Sequence, residues 1–252
     1  MRTLATGVHK YRQDKYRVNL RVVAKIVLLR HAHSTANSAG ILSGQLSGVS
    51  LSKDGFHQAN ELAERIGAIA FDSIRVSPMQ RCEETITPWI SSKYSRGIKD
   101  YQLDDGLIEM NYGSWSGRKL SSLRREPLWK LIQSSPSKVK FPEGERFTAM
   151  QKRALASVRE AAASKKNGIH LIVSHGDVIK AIVAGLIDLK LDNFQSLVID
   201  PASITILDVD SSSARLIMFN DSKTSIGPLL KAPKVAKTLL GGGTGALRGK
   251  KR

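Results

Sequence analysis

The sequence predicts an α/β protein, a three-layer sandwich in which a mostly parallel central sheet carries helices on both faces. Three observations predict this class. Short runs of Ile, Val and Leu recur along the chain, amphipathic helical segments follow most of them, and polar turn residues separate the two. The chain has 252 residues, of which 41% are apolar and 24% are charged, so it can bury a sizeable core as one domain.

The apolar pattern places each element in order. Strands are predicted over residues 25–30, 71–76, 169–174, 203–209 and 215–219. A helix over 54–69 is expected to bury Phe56 together with Ala59 and Leu62, and further helices are predicted near 147–158 and over 177–189. Another helix is expected to begin with Ser77 as its N-cap and Pro78 in its first turn.

The net charge of +17 is concentrated at the two ends of the chain. Residues 1–25 carry +6, residues 222–252 carry +8, and the stretch between them carries only +3. We therefore predict three parts: a basic extension over 1–24 that is either not folded or not translated, a domain over 25–221, and a basic, Gly-rich tail over 222–252. Specific nucleic-acid binding is not expected, because a DNA-binding domain carries its excess charge on a folded face.

Cysteine content limits the chemistry of the protein, and apolar run length limits its location. Cys82 is the only cysteine, so an internal disulfide and a cysteine-based metal site are excluded, and we interpret this residue as helix packing. The longest apolar runs are only a few residues, far from the roughly 20 needed to cross a bilayer. We expect a cytoplasmic protein without a membrane partner.

Arginine, histidine and serine residues follow three of the predicted strands. The first strand ends in Arg30-His31, the second is followed by Ser77-Pro78 and Arg81, and the strand over 169–174 is followed by His175. Open α/β sheets bind ligands beyond the carboxyl ends of their strands, so these side chains are expected to share one site.

Two arginines and two histidines at one site fit a phosphoryl group. Guanidinium groups match phosphate oxygens in bidentate fashion, and two of them neutralise a dianion. A neutral imidazole can attack phosphorus and carry the phosphoryl group as a covalent intermediate. This chemistry requires no metal and no cofactor, and we expect neither.

Three segments carry a common motif pattern: Leu29-Arg30-His31-Ala32-His33-Ser34-Thr35-Ala36-Asn37, then Ser77-Pro78-Met79-Gln80-Arg81-Cys82-Glu83-Glu84-Thr85, and Val173-Ser174-His175-Gly176. They resemble the motifs of the histidine phosphatase superfamily, the phosphoglycerate mutase-like group. The resemblance implies that His31 is the nucleophile and Glu109 the proton donor, and that His175 belongs to the catalytic group. It implies a phosphate pocket of Arg30, Asn37, Arg81 and His175, and further substrate contacts from Ser43, Gly44, Tyr112 and Arg118.

Two positions depart from the family pattern. Ala32 stands where the family usually has glycine, which adds a methyl group where the backbone is expected to approach phosphate. His33 stands where an acid or amide is common, and it either tunes the charge of the pocket or is a partly exposed side chain.

The motifs leave the fate of the phosphoryl group open. A phosphatase is favoured, because 66 positions separate Glu109 from His175 and the Gly113-x-Trp115-x-Gly117 segment resembles the phosphatase branch. A phosphoglycerate mutase-type transferase is the alternative, since basic residues over 118–125 suit an anionic substrate. An inactive domain that binds polyanions through basic tails is a third. The expected partner is a small phosphorylated substrate, and a homodimer is left open.

Overall fold

The computed structural model describes residues 23–230 except 97, 99 and 212. The predicted terminal segments over 1–24 and 222–252 therefore lie largely outside the described residues. The described chain forms one six-stranded sheet, ordered β3-β2-β4-β1-β5-β6. Its strands are β1 (Ala24–Arg30), β2 (Ser73–Val76), β3 (Gln102–Leu103), β4 (Ile169–Ser174), β5 (Ile204–Val209) and β6 (Ala214–Asp221).

The sheet is parallel through its first four strands and antiparallel at one side. β1 pairs in parallel with β4, β4 with β2, and β2 with β3, whereas β5 runs antiparallel to both β1 and β6. The prediction of a mostly parallel sheet with helices on both faces is confirmed. The short edge strand β3 was not predicted, because two exposed residues carry no apolar pattern.

Helices cover both faces of the sheet. The α-helices are α1 (Thr35–Ser38), α2 (Lys53–Ile66), α3 (Gln80–Ile90), α4 (Leu120–Leu123), α5 (Pro127–Ser134), α6 (Phe147–Ser164), α7 (Gly176–Leu186) and α8 (Gly227–Leu230). Single 3₁₀ turns lie at Lys93–Ser95, Asp105–Leu107, Gly113–Trp115 and Pro136–Lys138, and a longer 3₁₀ segment spans Leu191–Ser196. No helix among the described residues is long and apolar enough to span a membrane.

The alternation of side chains along β1 divides the core into two clusters. Ile26 and Leu28 face one cluster, to which α6 and α7 contribute, while Val27 and Leu29 face the other, to which α2 and α3 contribute. Successive strand residues point to opposite faces, so a fully apolar strand indicates burial on both sides. This arrangement produces the three layers.

Two local predictions were wrong. Phe56 is 44% exposed, because α2 turns its neighbour Gly55 inward, whereas Ala59 and Leu62 are buried as predicted. Ser77 does not cap α3, which begins at Gln80 with Met79 at the N-cap and no side-chain cap bond. The hydroxyl of Ser77 is bound to His175 at 2.7 Å, so it is unavailable to the helix.

The packed chain extends beyond the boundary predicted at residue 221. Ile226 is fully buried and Leu230 is 5% exposed, and both belong to the core cluster beneath α2 and α3. The backbone N–H of Ile226 donates to the carbonyl of Arg65 at 3.1 Å, which ties this segment to the end of α2. The first part of the predicted tail is therefore part of the fold.

The register of the central strands brings the predicted site together. Arg30 at the end of β1 pairs with Ser174 at the end of β4, and Val76 of β2 pairs with Val173 of β4. Their carboxyl ends therefore meet at one edge of the sheet, and His31, Ser77 and His175 each follow at that edge.

Candidate active site

His31 is a buried, neutral imidazole directly after β1. Its ring is 4% exposed, and its backbone N–H donates to the carbonyl of Ser174 at 2.9 Å. Nδ1 lies 2.7 Å from the carbonyl oxygen of Ala32, which can only accept, so Nδ1 carries the proton. Burial lowers the pKa of His31 well below its ordinary value, and the charges of Arg81 and Arg30 lower it further. The lone pair on Nε2 is therefore available for nucleophilic attack.

His175 lies beside His31, with the ring centroids 5.2 Å apart. Its Nδ1 is 3.2 Å from Nη2 of Arg81, which only donates, so Nδ1 accepts that bond. Nε2 then carries the proton and donates it to Oγ of Ser77 at 2.7 Å. Burial, and next the charge of Arg81, hold the pKa of His175 well below its ordinary value.

Two guanidinium groups beside these rings, the buried one of Arg81 and the half-buried one of Arg30, keep buried N–H groups without acceptors. Nη2 of Arg81 donates to the carbonyl of Gly44 at 2.8 Å, but its Nε and Nη1 have no partner among the described residues. Nη1 of Arg30 donates to the carbonyl of Ile199 at 2.5 Å, and its Nε is also without a partner. Burial lowers the pKa of Arg30. A buried N–H group of a cation that lacks an acceptor costs free energy, and a bound anion would supply the missing acceptor.

Glu109 is a carboxyl group whose proton is exchanged near neutral pH. It is 9% exposed, its Oε1 accepts from the backbone N–H of Met110 at 2.8 Å, and its Oε2 lies 3.8 Å from Nδ1 of His175. Burial, followed by the charge of Asp177, raises the pKa of Glu109 to about 7. A carboxyl group with this pKa can give up a proton and take one back in a single cycle.

A family model, the histidine phosphatase superfamily (branch 1), matches residues 26–222. The chain belongs to this superfamily. The match covers the sheet except for the first two residues of β1, and it includes the five site residues described above. The resemblance seen in the three sequence motifs is thereby confirmed.

Individual members of the superfamily are similar over most of their length. Phosphoserine phosphatase 1 of Hydrogenobacter thermophilus is 27% identical, over 79% of this chain and 92% of its own. The 2,3-bisphosphoglycerate-dependent phosphoglycerate mutase of Thermoplasma acidophilum is 29% identical, over 73% and 86%. A mycobacterial glucosyl-3-phosphoglycerate phosphatase, solved with VO3, is 27% identical with a TM-score of 0.70, over 78% of this chain and 98% of that one.

The alanine that replaces the usual glycine of the superfamily is packed in an apolar cluster. Ala32 is fully buried together with Leu51, Ala59 and Ala202. Its backbone N–H donates to Oγ1 of Thr85 at 2.9 Å, and that hydroxyl donates to the carbonyl of Arg81 at 2.6 Å. Thr85 thus ties the loop after β1 to the first turn of α3, and the extra methyl group contributes to packing.

His33 is a partly exposed side chain, one of the two predicted alternatives, and it is bonded to neighbouring residues. Its Nδ1 lies 3.0 Å from Oγ of Ser52, and its backbone N–H donates to Oε1 of Gln58 at 2.9 Å. Gly55 allows this approach, because a Cβ there would lie 1.9 Å from the carbonyl oxygen of His33. Only glycine at this position of α2 lets the helix lie so close to the loop that carries His33.

The other predicted contacts divide into two groups. Gly44 and Tyr112 join the cluster: Gly44 accepts from Arg81, and the buried hydroxyl of Tyr112 donates to Oδ2 of Asp177 at 2.9 Å. Three residues show no bond to the cluster. The exposed Asn37 accepts from the backbone N–H and hydroxyl of Ser34, Ser43 accepts from the N–H of Leu46 through its carbonyl, and Arg118 is paired with Glu126.

Sequence reasoning missed the group that positions Glu109. Arg153, on α6, donates to the carbonyls of Gly106, Ile108 and Glu109 at 2.7–3.1 Å, and its fork also binds the carboxylate of Glu145. Gln45 donates to the carbonyl of Glu109 at 2.8 Å. No local pattern distinguishes Arg153 from any other arginine on a helix, so only the tertiary structure reveals it.

Proposed function

We propose that this enzyme is a phosphomonoesterase that transfers the phosphoryl group of a small metabolite to His31 and then to water, without a metal or cofactor. One observation carries the proposal. Buried N–H groups of Arg30 and Arg81 without acceptors surround two neutral imidazoles, next to a carboxyl group with a pKa of about 7. These groups supply charge stabilisation, a nucleophile and a proton donor in one place.

The first step forms a phosphohistidine. The guanidinium groups hold the phosphate dianion, and Nε2 of His31 attacks phosphorus, so a P–N bond forms while the P–O ester bond breaks. Glu109 gives its proton to the departing oxygen. His175, whose ring centroid lies 5.2 Å from that of His31, forms the wall of the pocket beside the phosphoryl group and keeps its single proton on Nε2 throughout the step.

The second step releases phosphate. Water attacks phosphorus, the carboxylate of Glu109 takes its proton, and the P–N bond breaks to restore neutral His31. Glu109 acts first as acid and then as base, and a pKa of about 7 suits it to both roles near neutral pH.

The activities of similar proteins favour a small phosphorylated metabolite as the substrate. They include the phosphoserine phosphatase and the glucosyl-3-phosphoglycerate phosphatase named above. A mutase at comparable identity keeps phosphoryl transfer between sugar acids as the second candidate. Conversion of 3-phosphoglycerate in the presence of a bisphosphoglycerate primer, without release of inorganic phosphate, would favour the mutase.

The test is phosphate release from a panel of sugar phosphates, phosphoglycerates, phosphoserine and nucleotides. We expect His31→Ala to lose activity by at least about a thousandfold, because the covalent route is removed. His33→Ala is the matched control, a neighbouring histidine bound to Ser52, and we expect it to keep activity within a few-fold. Full activity in His31→Ala would contradict the mechanism.

Location and assembly are proposed from the sequence alone. We place the enzyme in the cytoplasm because of its single cysteine and short apolar runs. Specific nucleic-acid partners and membrane partners are not expected, and a homodimer stays open. The alternative of polyanion binding through basic tails concerns segments that lie largely outside the described residues.

A further inference from the structure

A cavity of about 190 Å³ lies next to the phosphate-binding cluster and is walled by aromatic rings. The rings belong to Tyr112, Trp115, Trp129, Phe141 and Phe147. An apolar cavity of about 150 Å³ is large enough to take up a benzene ring. The space next to the cluster therefore accommodates a six-membered ring with some room for substituents.

Four of the five aromatic rings hold one another in place. Phe141 contacts Tyr112 and Trp115 edge to face, with ring centroids 5.0 and 5.4 Å apart, and it lies 5.6 Å from Phe147. Such edge-to-face contacts are the favoured geometry between aromatic rings. The cavity is thus pre-formed, and a ligand does not have to order its walls.

Two lining residues connect the cavity to the catalytic cluster. Tyr112 donates to Asp177, and the charge of Asp177 is a major cause of the raised pKa of Glu109. The ring of Tyr112 also lies against Gly44, whose carbonyl holds Arg81: a Cβ on that glycine would lie 3.0 Å from Cδ2 of Tyr112. The cavity therefore borders the residues that hold Arg81 and set the pKa of Glu109.

The polar groups of the lining do not suit a carboxylate. Among the described residues that line the cavity, none is a lysine or arginine, and the charged one is Asp177. Gln133 and Gln195 supply uncharged polar groups. The nearby cation Lys180 is already engaged, with its Nζ 3.2 Å from Oε1 of Gln195 and 3.7 Å from Oδ1 of Asp177. A buried carboxylate here would lack a free cationic partner.

We propose that this cavity binds the alcohol portion of the substrate, and that this portion carries an aromatic ring and no carboxylate. The inference rests on the proposed phosphatase function and narrows its substrate class. An alcohol portion of this kind excludes phosphorylated amino acids and sugar acids as the preferred substrates. Trp129, half-buried on α5, and the exposed Gln133 one turn further along are its specificity-determining residues.

The experiment compares two matched series of primary-alcohol phosphates. The first series consists of benzyl, 2-phenylethyl and 3-phenylpropyl phosphates. The second consists of phosphoglycolate, 3-phosphooxypropanoate and 4-phosphooxybutanoate. All six are esters of primary alcohols, so the leaving groups have similar reactivity. We expect kcat/KM for the best phenyl compound to exceed that for the best carboxylate by at least about tenfold, the scale of discrimination in an apolar pocket. Equal values, or preference for the carboxylates, would overturn the inference.

Three variants locate the preference in the cavity. Trp129→Ala should raise KM for the phenyl series by about tenfold with little change in kcat. The substitution removes one wall of the cavity and leaves the catalytic residues unchanged. Gln133→Lys should raise kcat/KM for the carboxylates several-fold. Phe56→Ala, an exposed aromatic outside the cavity, is the control and should change neither series. Unchanged selectivity in both cavity variants would overturn the assignment.

A binding measurement separates this inference from the proposed function. Calorimetry with 3-phenylpropylphosphonate and 4-phosphonobutyrate requires no turnover. If no compound releases phosphate, the proposed function fails, and the phosphonates still decide the inference. Tighter binding of the phenyl compound by about tenfold, reduced in Trp129→Ala, supports it. Equal binding of the two phosphonates, or binding of neither, overturns it.

Discussion

The raised pKa of Glu109 has a consequence for stability as well as for catalysis. The carboxyl group titrates at 4.5 when unperturbed and at about 7 in the folded protein. Between these two values the folded state holds a proton that the unfolded state has lost, so the free energy of unfolding falls as pH rises through this window. One pKa unit corresponds to about 1.4 kcal/mol, so ionised Glu109 lowers the stability above pH 7 by roughly 3 kcal/mol.

Glu109→Gln removes this titration and keeps the shape of the side chain. We expect the variant to gain roughly 3 kcal/mol relative to the wild type between pH 4 and pH 8, because only the wild type has to ionise a buried carboxyl group. At the same time kcat should fall by about 10² to 10⁴, the usual contribution of a general acid–base group. Stability and activity therefore change in opposite directions.

The assay is urea denaturation of both proteins at pH 4, 6 and 8, together with kcat at pH 6. In the wild type, kcat/KM should decline above about pH 7 as Glu109 loses the proton that the leaving oxygen needs. A stability difference between the two proteins that does not change with pH would refute the pKa argument. Retention of kcat in Glu109→Gln would refute the assigned role.

Three further substitutions test other parts of the structure. Arg81→Lys should lower kcat/KM for every substrate by about a hundredfold and weaken inhibition by inorganic phosphate, because the ammonium group of lysine cannot make the bidentate contact of a guanidinium group. Unchanged phosphate inhibition would contradict this. Ala32→Gly should cost about 1 kcal/mol in denaturation with kcat/KM changed less than threefold, since its methyl group is in the core, and a large gain in activity would contradict it. Gly113→Ala should lower stability by roughly 2 kcal/mol or more in thermal denaturation, because φ is +53° and the new Cβ would lie 1.9 Å from the carbonyl of Pro142; wild-type stability would contradict it.

The sequence predicted those features that depend on local pattern and chain order. The apolar runs located the longer strands, and the parallel topology then placed Arg30, His31 and His175 at one edge of the sheet. Chain order likewise placed Arg81 at that edge, and motif resemblance added Glu109. The structure brings both to the same cluster. Each of these features is encoded within a few neighbouring residues.

The features that could not be predicted depend on contacts between distant segments. Ser77 had the pattern of a helix cap, but a histidine 98 positions away binds its hydroxyl. The pairing of the Arg118 guanidinium with Glu126, eight positions on, was not predicted either. The role of Arg153 in holding the Glu109 loop likewise has no local signature. Side-chain partners of this kind are fixed by tertiary packing.

The central claim is that His31 carries the phosphoryl group, and mass spectrometry of enzyme quenched in alkali during turnover tests it most directly. Alkali preserves a phosphohistidine, whereas acid hydrolyses it. We predict that the phosphorylated peptide contains His31, that fragmentation places the phosphate on that ring, and that acid treatment removes it. A phosphate group located on His33 or His175, or acid-stable labelling, would contradict the account.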